Sequence, residues 1–526
     1  MKIKKPNLTI AKRKPKAKTS NQQIISEQIE AEISKLAPSE SNLKIIEWYW
    51  LDKPFAAAVI IKDNVNYFYH VVTPAISELD FEVLNRVYHR LVDRLSIIEK
   101  NPKDVFEKEA TRLISSYAKI DSLRQQVIIY YLKRKTLGYD SVDPLFKDPF
   151  LEEITCNGPD LPIYVYHPNY GFTVTNLVFG EKYADDFTSH LSELADRHLC
   201  LGEPVVEATL KDGTRLTAFY RNEVSTAGSA FALRKTRVTP LYPVDLVRLG
   251  TFNTELMALL WLFVEYNINM LIIGGTASGK TTTLNAISLF IPKSRRIVSI
   301  EDTREIRLVH TNWVPLVTRQ DKKLDTIPNG IDEMYLLKRA LRLRPEYLLV
   351  GEVRGEEATI LFQAMNTGHI VFSTIHAGSV DEAFIRIFNP PISVPPAMIL
   401  PLDIVMVQSL IRLETKEFRR CIYIAELEKV DIENRKGVFY PLYTWDAKTN
   451  QLIQNNRPRK TIKKIMAMTG QTEQEVFAEI KRREDFLKNA IAKGQLGDND
   501  FITILESFRQ TYYQKQTVNQ QKQGAQ

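Results

Sequence analysis

Cysteine is scarce in this chain of 526 residues, and the three that occur, Cys156, Cys200 and Cys421, lie far apart. Disulfide frameworks and zinc knuckles need cysteines at short, regular spacings, so the sequence predicts neither. Long apolar runs are also missing. The best of them, Leu256 to Val264, ends at Glu265 and is too short to cross a bilayer. The N-terminus lacks the apolar stretch of a secretory signal. These absences favour an intracellular protein of a reducing compartment that does not span the membrane.

The composition is that of a globular protein. Hydrophobic residues make up 44% of the chain and charged residues 25%, which argues against a mainly disordered, collagen-like or disulfide-stapled protein. The length is sufficient for two to four domains at roughly 150 residues each.

Positive charge is concentrated at the N-terminus. The formal net charge is +7, and residues Met1 to Ser20 hold eight basic side chains and no acidic one. Subtracting these eight charges from +7 leaves −1 for the rest of the chain, so the body is near neutral. Such a tail suits acidic lipid, nucleic acid or an acidic partner, or it is a solvated arm without a fixed partner.

The hydrophobic pattern predicts an α/β protein with several segments. The predicted segments are a basic disordered tail (1–40), a strand and helical region (41–143), a smaller α+β domain (144–238), a linker (239–246), a parallel α/β domain (247–456), a helical extension (457–510) and a disordered tail (511–526). We also expect one helix from Leu246 to Tyr266.

Short apolar runs alternate with helical patterns between Ile268 and about Leu413. This alternation is typical of a mainly parallel sheet with helices on both faces. The four runs are Leu271–Ile273, Ile297–Ile300, Leu348–Val350 and Ile370–Ile375. Because the carboxyl ends of parallel strands form the ligand crevice, residues that follow these runs are the candidates for chemistry.

The first run leads into a phosphate-binding loop. Residues Gly274 to Thr281 match the pattern G-x-x-x-x-G-K-[ST] between a strand and a helix. Glycines let backbone N–H groups converge on phosphate oxygens, and the helix N-terminus adds partial positive charge. The predicted nucleotide-binding residues are Gly274, Gly275, Thr276, Ala277, Ser278, Gly279, Lys280, Thr281 and Thr282.

This loop predicts ATP and Mg²⁺ as ligands. The Lys280 ammonium is expected to neutralise the β- and γ-phosphates, and the Thr281 hydroxyl to bind Mg²⁺. Glu352, after the third run, is expected on the metal side, where the usual phosphate-loop enzyme has Asp.

Further charged residues follow the other runs. Glu301 and Glu305 lie just after the second run, and either is placed to orient or deprotonate the attacking water. His376 ends the fourth run, where a sensor of the γ-phosphate would lie. Arginines near the third run are more often surface charge than catalytic.

These motifs occur in one order, and the chain resembles the type II/IV secretion ATPases. The four elements are called Walker A (Gly274 to Thr281), Asp box (Glu301 to Glu305), atypical Walker B (Val350 to Glu352) and His box (Gly368 to Ala377). The resemblance implies a RecA-like P-loop domain in residues 247–456. It also favours Glu305 as the catalytic base and explains Glu in place of Asp at position 352.

The resemblance extends upstream and has implications for assembly. Arg215 and Arg234 resemble the family's arginines that reach the nucleotide from the N-terminal domain, with a surface ion pair as the alternative. The family implies a homohexameric motor on the inner face of the cell membrane, working with a polytopic platform protein. The early aromatic segment and the chain's end resemble the archaeal pilus and archaellum branch.

Two other functions stay open on the sequence alone. A hexameric nucleic-acid translocase would use the basic tail, but no stretch combines basic and aromatic residues for base stacking, so we expect no specific nucleic acid. A scaffold that binds ATP without turnover is the second alternative, and the presence of Glu305, Glu352 and His376 argues against it.

Overall fold

The computed structural model describes residues 20–37, 42–97, 102–235, 240–319, 330–413, 416–494 and 501–510. The chain forms two compact units. The first comprises residues 1–210 and 214–235, and the second comprises residues 211–213 and 236–526. Most of the predicted N-terminal tail, the segment 320–329 and the C-terminal tail 511–526 lie outside the described residues.

The first unit contains a nine-stranded sheet in the order β1-β2-β3-β6-β5-β4-β9-β8-β7. Its strands are β1 (Lys44–Asp52), β2 (Ala56–Lys62), β3 (Tyr67–Val72), β4 (Glu153–Cys156), β5 (Pro162–His167), β6 (Gly171–Val178), β7 (Val205–Thr209), β8 (Arg215–Phe219) and β9 (Ala230–Arg234). Its helices are α1 (Asn21–Lys35), α2 (Glu78–Ile97), α3 (Pro102–Tyr117), α4 (Ser122–Leu137), α5 (Asp143–Lys147) and α6 (Glu181–Leu194).

One sheet joins the two N-terminal regions that the sequence analysis separated at residue 143. Strand β3 pairs in parallel with β6, at Phe68 with Val174 and Tyr69 with Thr175. The residues of each pair are far apart in the sequence, and local periodicity carries no information about such a pairing.

The prediction that residues 1–40 are wholly disordered is wrong for residues 21–35, which form helix α1. Ile25, Ile29 and Ile33 follow one another at four-residue spacing, and all three are buried. They pack in one core cluster with β2, so burial of this stripe stabilises the helix.

The second unit contains another nine-stranded sheet, in the order β12-β11-β13-β14-β10-β15-β16-β17-β18. The pairs from β12 to β15 are parallel, and those from β15 to β18 are antiparallel. The strands are β10 (Met270–Gly274), β11 (Ile297–Glu301), β12 (Trp313–Val317), β13 (Tyr347–Val353), β14 (Ile370–His376), β15 (Ile404–Leu413), β16 (Lys416–Asp431), β17 (Lys436–Asp446) and β18 (Gln451–Gln454).

Helices cover both faces of this sheet, as the α/β prediction required. Alternate residues of β10 divide between two core clusters: Met270 and Ile272 join one, Leu271 and Ile273 the other. The helices are α7 (Pro243–Arg248), α8 (Thr254–Glu265), α9 (Lys280–Ser288), α10 (Glu333–Ala340), α11 (Glu357–Asn366), α12 (Val380–Phe388), α13 (Lys460–Thr469), α14 (Glu473–Ala492) and α15 (residues 501–510).

The single helix predicted from Leu246 to Tyr266 is wrong, because two helices, α7 and α8, occupy this range. Gly250 lies between them with φ of 73°, a left-handed conformation that ends helices. Asn253 then caps α8 by accepting a hydrogen bond from the Leu256 N–H. Helix α7 starts at Pro243, within the segment 239–246 that was predicted to be a linker.

A buried ion-pair network ties the C-terminal helices to α8 and to the residues just beyond α9. Arg483 on α14 bonds Glu265 of α8 at 2.6 Å and Glu479 at 3.0 Å. Arg509 of α15 bonds Glu265 at 2.8 Å and also donates to the carbonyl oxygen of Phe290, just beyond α9. These side chains are almost completely buried, so each charge depends on its partners.

Among the described helices of both units, none combines the length and the apolar character that a bilayer span requires.

Replacing Arg483 with Ala is expected to lower the stability of the second unit by about 3–5 kcal/mol, because Glu265 and Glu479 would keep buried charge without their main partner. The measurement is thermal melting of the full chain. Lys481→Ala is the matched control on the same helix, since the Lys481 side chain is exposed and pairs with Glu484 from the surface. Equal melting temperatures for the two variants would contradict a stabilising role of the network.

Candidate nucleotide-binding site

The parallel pairing brings the predicted motifs to one edge of the second sheet. Gly274, the last residue of β10, is in register with His376 at the end of β14. On the other side of β14, strand β13 carries Glu352, and β11 follows with Glu301 at its end. The Walker A, Asp box, Walker B and His box segments therefore share the carboxyl edge, where open α/β sheets bind ligands.

The P-loop turns tightly at the end of β10. Ala277 and Gly279 both have positive φ, 58° and 93°, and a glycine adopts such values at little cost. A Cβ on Gly274 would lie 2.4 Å from the Ser278 hydroxyl and 2.5 Å from the carbonyl oxygen of Gln408. Only glycine fits at position 274, because the neighbouring strand and the loop both approach its backbone.

Lys280 points back across the loop. Its ammonium donates to the carbonyl oxygen of Gly275 at 2.9 Å, and the buried Ser278 hydroxyl donates to the same oxygen at 2.8 Å. The Lys280 ammonium also lies 3.9 Å from the carboxylate of Glu352. The Lys280 ammonium and the Glu352 carboxylate are therefore neighbours, and the hydrogen bond to Gly275 holds the ammonium against the loop. Thr281 and Thr282 follow in the first turn of α9.

Glu301 is the most constrained acid of the site. It is 3% exposed, and its Oε1 accepts hydrogen bonds from the backbone N–H groups of Glu305 and Ile306 at 3.0 and 2.9 Å. Its Oε2 is buried and has no hydrogen-bond partner within the described part of the chain. Burial raises the pKa of Glu301 to about 7, although the two N–H donors lower it. Oε1 of Glu301 thus holds the backbone of the Asp box in place, and Oε2 is suited to accept a hydrogen bond from a water or a substrate group.

Gly351 makes room for this carboxylate. A Cβ at Gly351 would lie 3.2 Å from Cγ of Glu301, closer than most side-chain contacts. The glycine before Glu352 therefore lets the Asp box and the Walker B strand approach each other. No local pattern distinguishes this glycine, since the contact joins two separate strands.

Arg354 links the two acidic motifs. Its guanidinium donates to Glu352 at 2.6 and 3.1 Å and lies 3.5 Å from Asp302. Its backbone N–H donates to Glu357 at 2.6 Å. The Arg354 side chain is exposed, as predicted for the arginines around this strand, and its ion pairs join the Asp box to Walker B.

Glu333, at the start of α10, is an acid that the sequence analysis missed. Burial raises the pKa of Glu333 to about 8, and the negative charges of Asp302 and Glu357 add to the shift. The residue begins a helix far along the chain from the motifs, and an acidic residue in a first helical turn is common. Nothing in the local sequence therefore distinguishes Glu333 from an ordinary acidic residue of a first helical turn.

The donor set fits a magnesium ion that takes most of its ligands from phosphate and water. No group of three or more His, Cys, Asp or Glu side chains in the described ranges could hold a metal ion alone. Thr281 and Glu352 supply a hydroxyl and a carboxylate at the same sheet edge, and Mg²⁺ in kinase and ATPase sites uses one or two carboxylates plus phosphates.

Arg215 and Arg234 belong to the first unit. They are directly opposite each other on the antiparallel strands β8 and β9. On its other side, Arg234 lies opposite Glu153 of β4. The predicted role of Arg215 and Arg234 as phosphate clamps stays a prediction.

Glu301→Gln is expected to remove a pH dependence of stability. With its pKa raised from 4.5 to about 7, Glu301 stabilises the fold below about pH 4.5 and loses this contribution as the pH rises through 7, when the buried side chain ionises. The amide of the variant stays neutral. The free energy of unfolding of the variant relative to wild type should therefore be higher at pH 8 than at pH 5, by on the order of 3 kcal/mol. Melting curves at both pH values measure the difference, and a gap between the two proteins that does not change with pH would contradict the assignment.

Comparisons with known proteins identify relatives of this chain. The family model for type II/IV secretion system proteins matches residues 203–510. An uncharacterised protein of Methanocaldococcus jannaschii is 33% identical over 425 residues, 80% of this chain and 76% of that protein. The type IV secretion system protein PtlH of Bordetella pertussis is 31% identical over 278 residues, 48% of this chain and 80% of PtlH.

Among solved structures, the ATPase DotB of Yersinia pseudotuberculosis matches with a TM-score of 0.41 and 16% identity, covering 70% of this chain and 92% of that chain. The family model covers more than half of the chain, which confirms the resemblance predicted from the motifs. The chain belongs to the type II/IV secretion system family, and it is an ATP-hydrolysing enzyme of that class.

Proposed function

We propose that this protein is the Mg²⁺-dependent ATPase motor of a secretion, archaeal pilus or archaellum assembly machine. The observation that supports this function is the convergence of four motifs on one sheet edge, with Lys280 3.9 Å from Glu352. Such an edge can oppose the charge of a triphosphate and also hold a carboxylate near the attacking water.

Substrate binding would begin with the P-loop. The Lys280 ammonium would exchange the Gly275 carbonyl oxygen for phosphate oxygens, and backbone N–H groups of the loop would bind the same phosphates. Thr281 and Glu352 would hold Mg²⁺, which supplies positive charge to the β- and γ-phosphates when bound. Arg215 and Arg234 would add positive charge from the N-terminal domain.

We assign hydrolysis to the Asp box. Glu305 would orient the attacking water and accept its proton, as the family resemblance implies. Glu301 would support it, because the Glu301 carboxylate holds the backbone N–H of Glu305 at 3.0 Å. His376, beside Gly274, would sense the γ-phosphate at the end of the neighbouring strand.

The motor would act as a homohexamer in the cytoplasm, at the inner face of the cell membrane. Domain motion driven by ATP hydrolysis would transmit the energy of the reaction to a polytopic platform protein. The eight basic residues within Met1–Ser20 are suited to an acidic membrane surface, where each contributes about 1 kcal/mol of attraction.

The test is phosphate release by the purified full chain. Lys280→Ala should abolish turnover, and Glu305→Gln should bind ATP but lose at least about a hundredfold in kcat, since general-base catalysis contributes that much or more. Lys488→Ala, an exposed ion-pair residue of α14, is the control and should hydrolyse ATP like wild type.

Two results would contradict the proposal. Full turnover by Lys280→Ala would remove the P-loop from the reaction. Strong stimulation of the wild type by polynucleotide, with steep salt dependence, would point to a nucleic-acid translocase instead.

A further inference from the structure

The hairpin of β15 and β16 contacts the P-loop from the side opposite β14. Strand β15 pairs in parallel with β10, with Gly274 in register with Gln408. Strand β16 pairs antiparallel with β15 and places Arg419 opposite Leu410. The P-loop strand therefore lies between the His box strand and this hairpin, which none of the four motifs includes.

The Arg419 side chain extends from the hairpin and contacts the P-loop at Ala277 and Gly279. Its Nε donates to the carbonyl oxygen of Ala277 at 3.0 Å. Its stem passes along Gly279, since a Cβ on Gly279 would lie 3.6 Å from Cδ of Arg419. Both loop residues have positive φ, so the arginine contacts the part of the loop with the least favourable backbone conformation.

The direction of this hydrogen bond matters for phosphate binding. In a planar trans peptide, the C=O and the following N–H point in opposite directions. If the Ala277 carbonyl is held toward Arg419, the N–H of Ser278 must point away from it. A P-loop binds phosphate through N–H groups that point the same way, and a rotation of this peptide would take one donor out of the set.

The other arginines of the hairpin have different partners. Arg420 is buried and donates to the carbonyl oxygen of Leu249 and to Asn450, which ties the hairpin to its own unit. Arg412 is exposed and pairs with Glu417 at 2.7 Å. Arg419 is the arginine of this group that bonds the P-loop.

We propose that Arg419 is a positioning residue for nucleotide binding, which fixes the Ala277–Ser278 peptide with the Ser278 N–H available to phosphate. The inference rests on the proposed nucleotide site and extends it to a strand outside the recognised motifs. Because the β-phosphate is common to ATP and ADP, the arginine strengthens the binding of both nucleotides and has little effect on the chemical step.

The experiment compares wild type, Arg419→Ala, Arg419→Lys and Arg412→Ala in the full chain. Equilibrium binding of a fluorescent ADP and of a non-hydrolysable ATP analogue is measured together with kcat, KM and the melting temperature. Arg419→Ala should weaken both nucleotides about tenfold, as expected for the loss of a charged hydrogen bond. Its KM should rise by a similar factor while kcat stays within about twofold, the pattern of lost uniform binding.

The conservative variant Arg419→Lys and the control variant Arg412→Ala separate positioning from folding. Arg419→Lys retains a cationic donor and should recover part of the affinity, whereas Arg412→Ala should bind both nucleotides like wild type. A merely structural role would lower the melting temperature of Arg419→Ala without this rise in KM, and would overturn the inference. So would a fall in kcat at unchanged KM, or equal affinities for Arg419→Ala and Arg412→Ala.

Failure of the proposed function would look different. If the proposed nucleotide site is wrong, the wild-type protein binds neither nucleotide. This result is visible without any comparison between the arginine variants. If wild type binds and only the arginine variants fail to differ, the nucleotide site stands and the role of Arg419 is rejected.

Discussion

Parallel pairing of β10 with its two neighbours is the constraint on which the site depends. The pairing holds Gly274 between His376 and Gln408 at the carboxyl edge of the sheet. Because both neighbouring backbones are fixed by hydrogen bonds, the loop after Gly274 has little freedom, and the Gln408 carbonyl leaves no space for a Cβ at position 274. The P-loop geometry is therefore a property of the sheet as much as of the loop's own residues.

Charge balance is the second feature that organises the site. The acidic side chains of the site come from three elements and include Glu301, Glu333 and Glu352. Lys280 and Arg354 both lie beside Glu352, and burial raises the pKa values of Glu301 and Glu333 to about 7 and 8. A polyanionic substrate is thus met by cations that already have acidic neighbours, so its arrival would redistribute existing ion pairs.

Much of the second unit follows from local patterns. The four apolar runs that were predicted as strands are the cores of β10, β11, β13 and β14. The predicted helical extension contains α14, which starts with a capping box formed by Thr472 and Glu475. These features are readable because strand burial and helix capping depend on residues close together in the chain. The expectation that these strands are parallel was sufficient to predict that the motifs lie at one edge of the sheet.

What the sequence did not reveal depends on contacts between distant residues. Strand β12 was missed since its side chains are only partly buried, which weakens the apolar signal. Gly351, Glu333 and Arg419 owe their significance to neighbours 50 or more, 31 and 142 positions away respectively. No local pattern marks such residues, whereas Lys280 and Thr281 carry a motif of their own.

The most direct test of this account is a structure of the full chain with Mg²⁺ and a non-hydrolysable ATP analogue. We expect the β- and γ-phosphates within hydrogen-bond distance of Lys280, with Glu305, Glu352 and His376 around the same triphosphate. A triphosphate bound elsewhere, or bound in the P-loop with these three side chains directed away from it, would contradict the central claim.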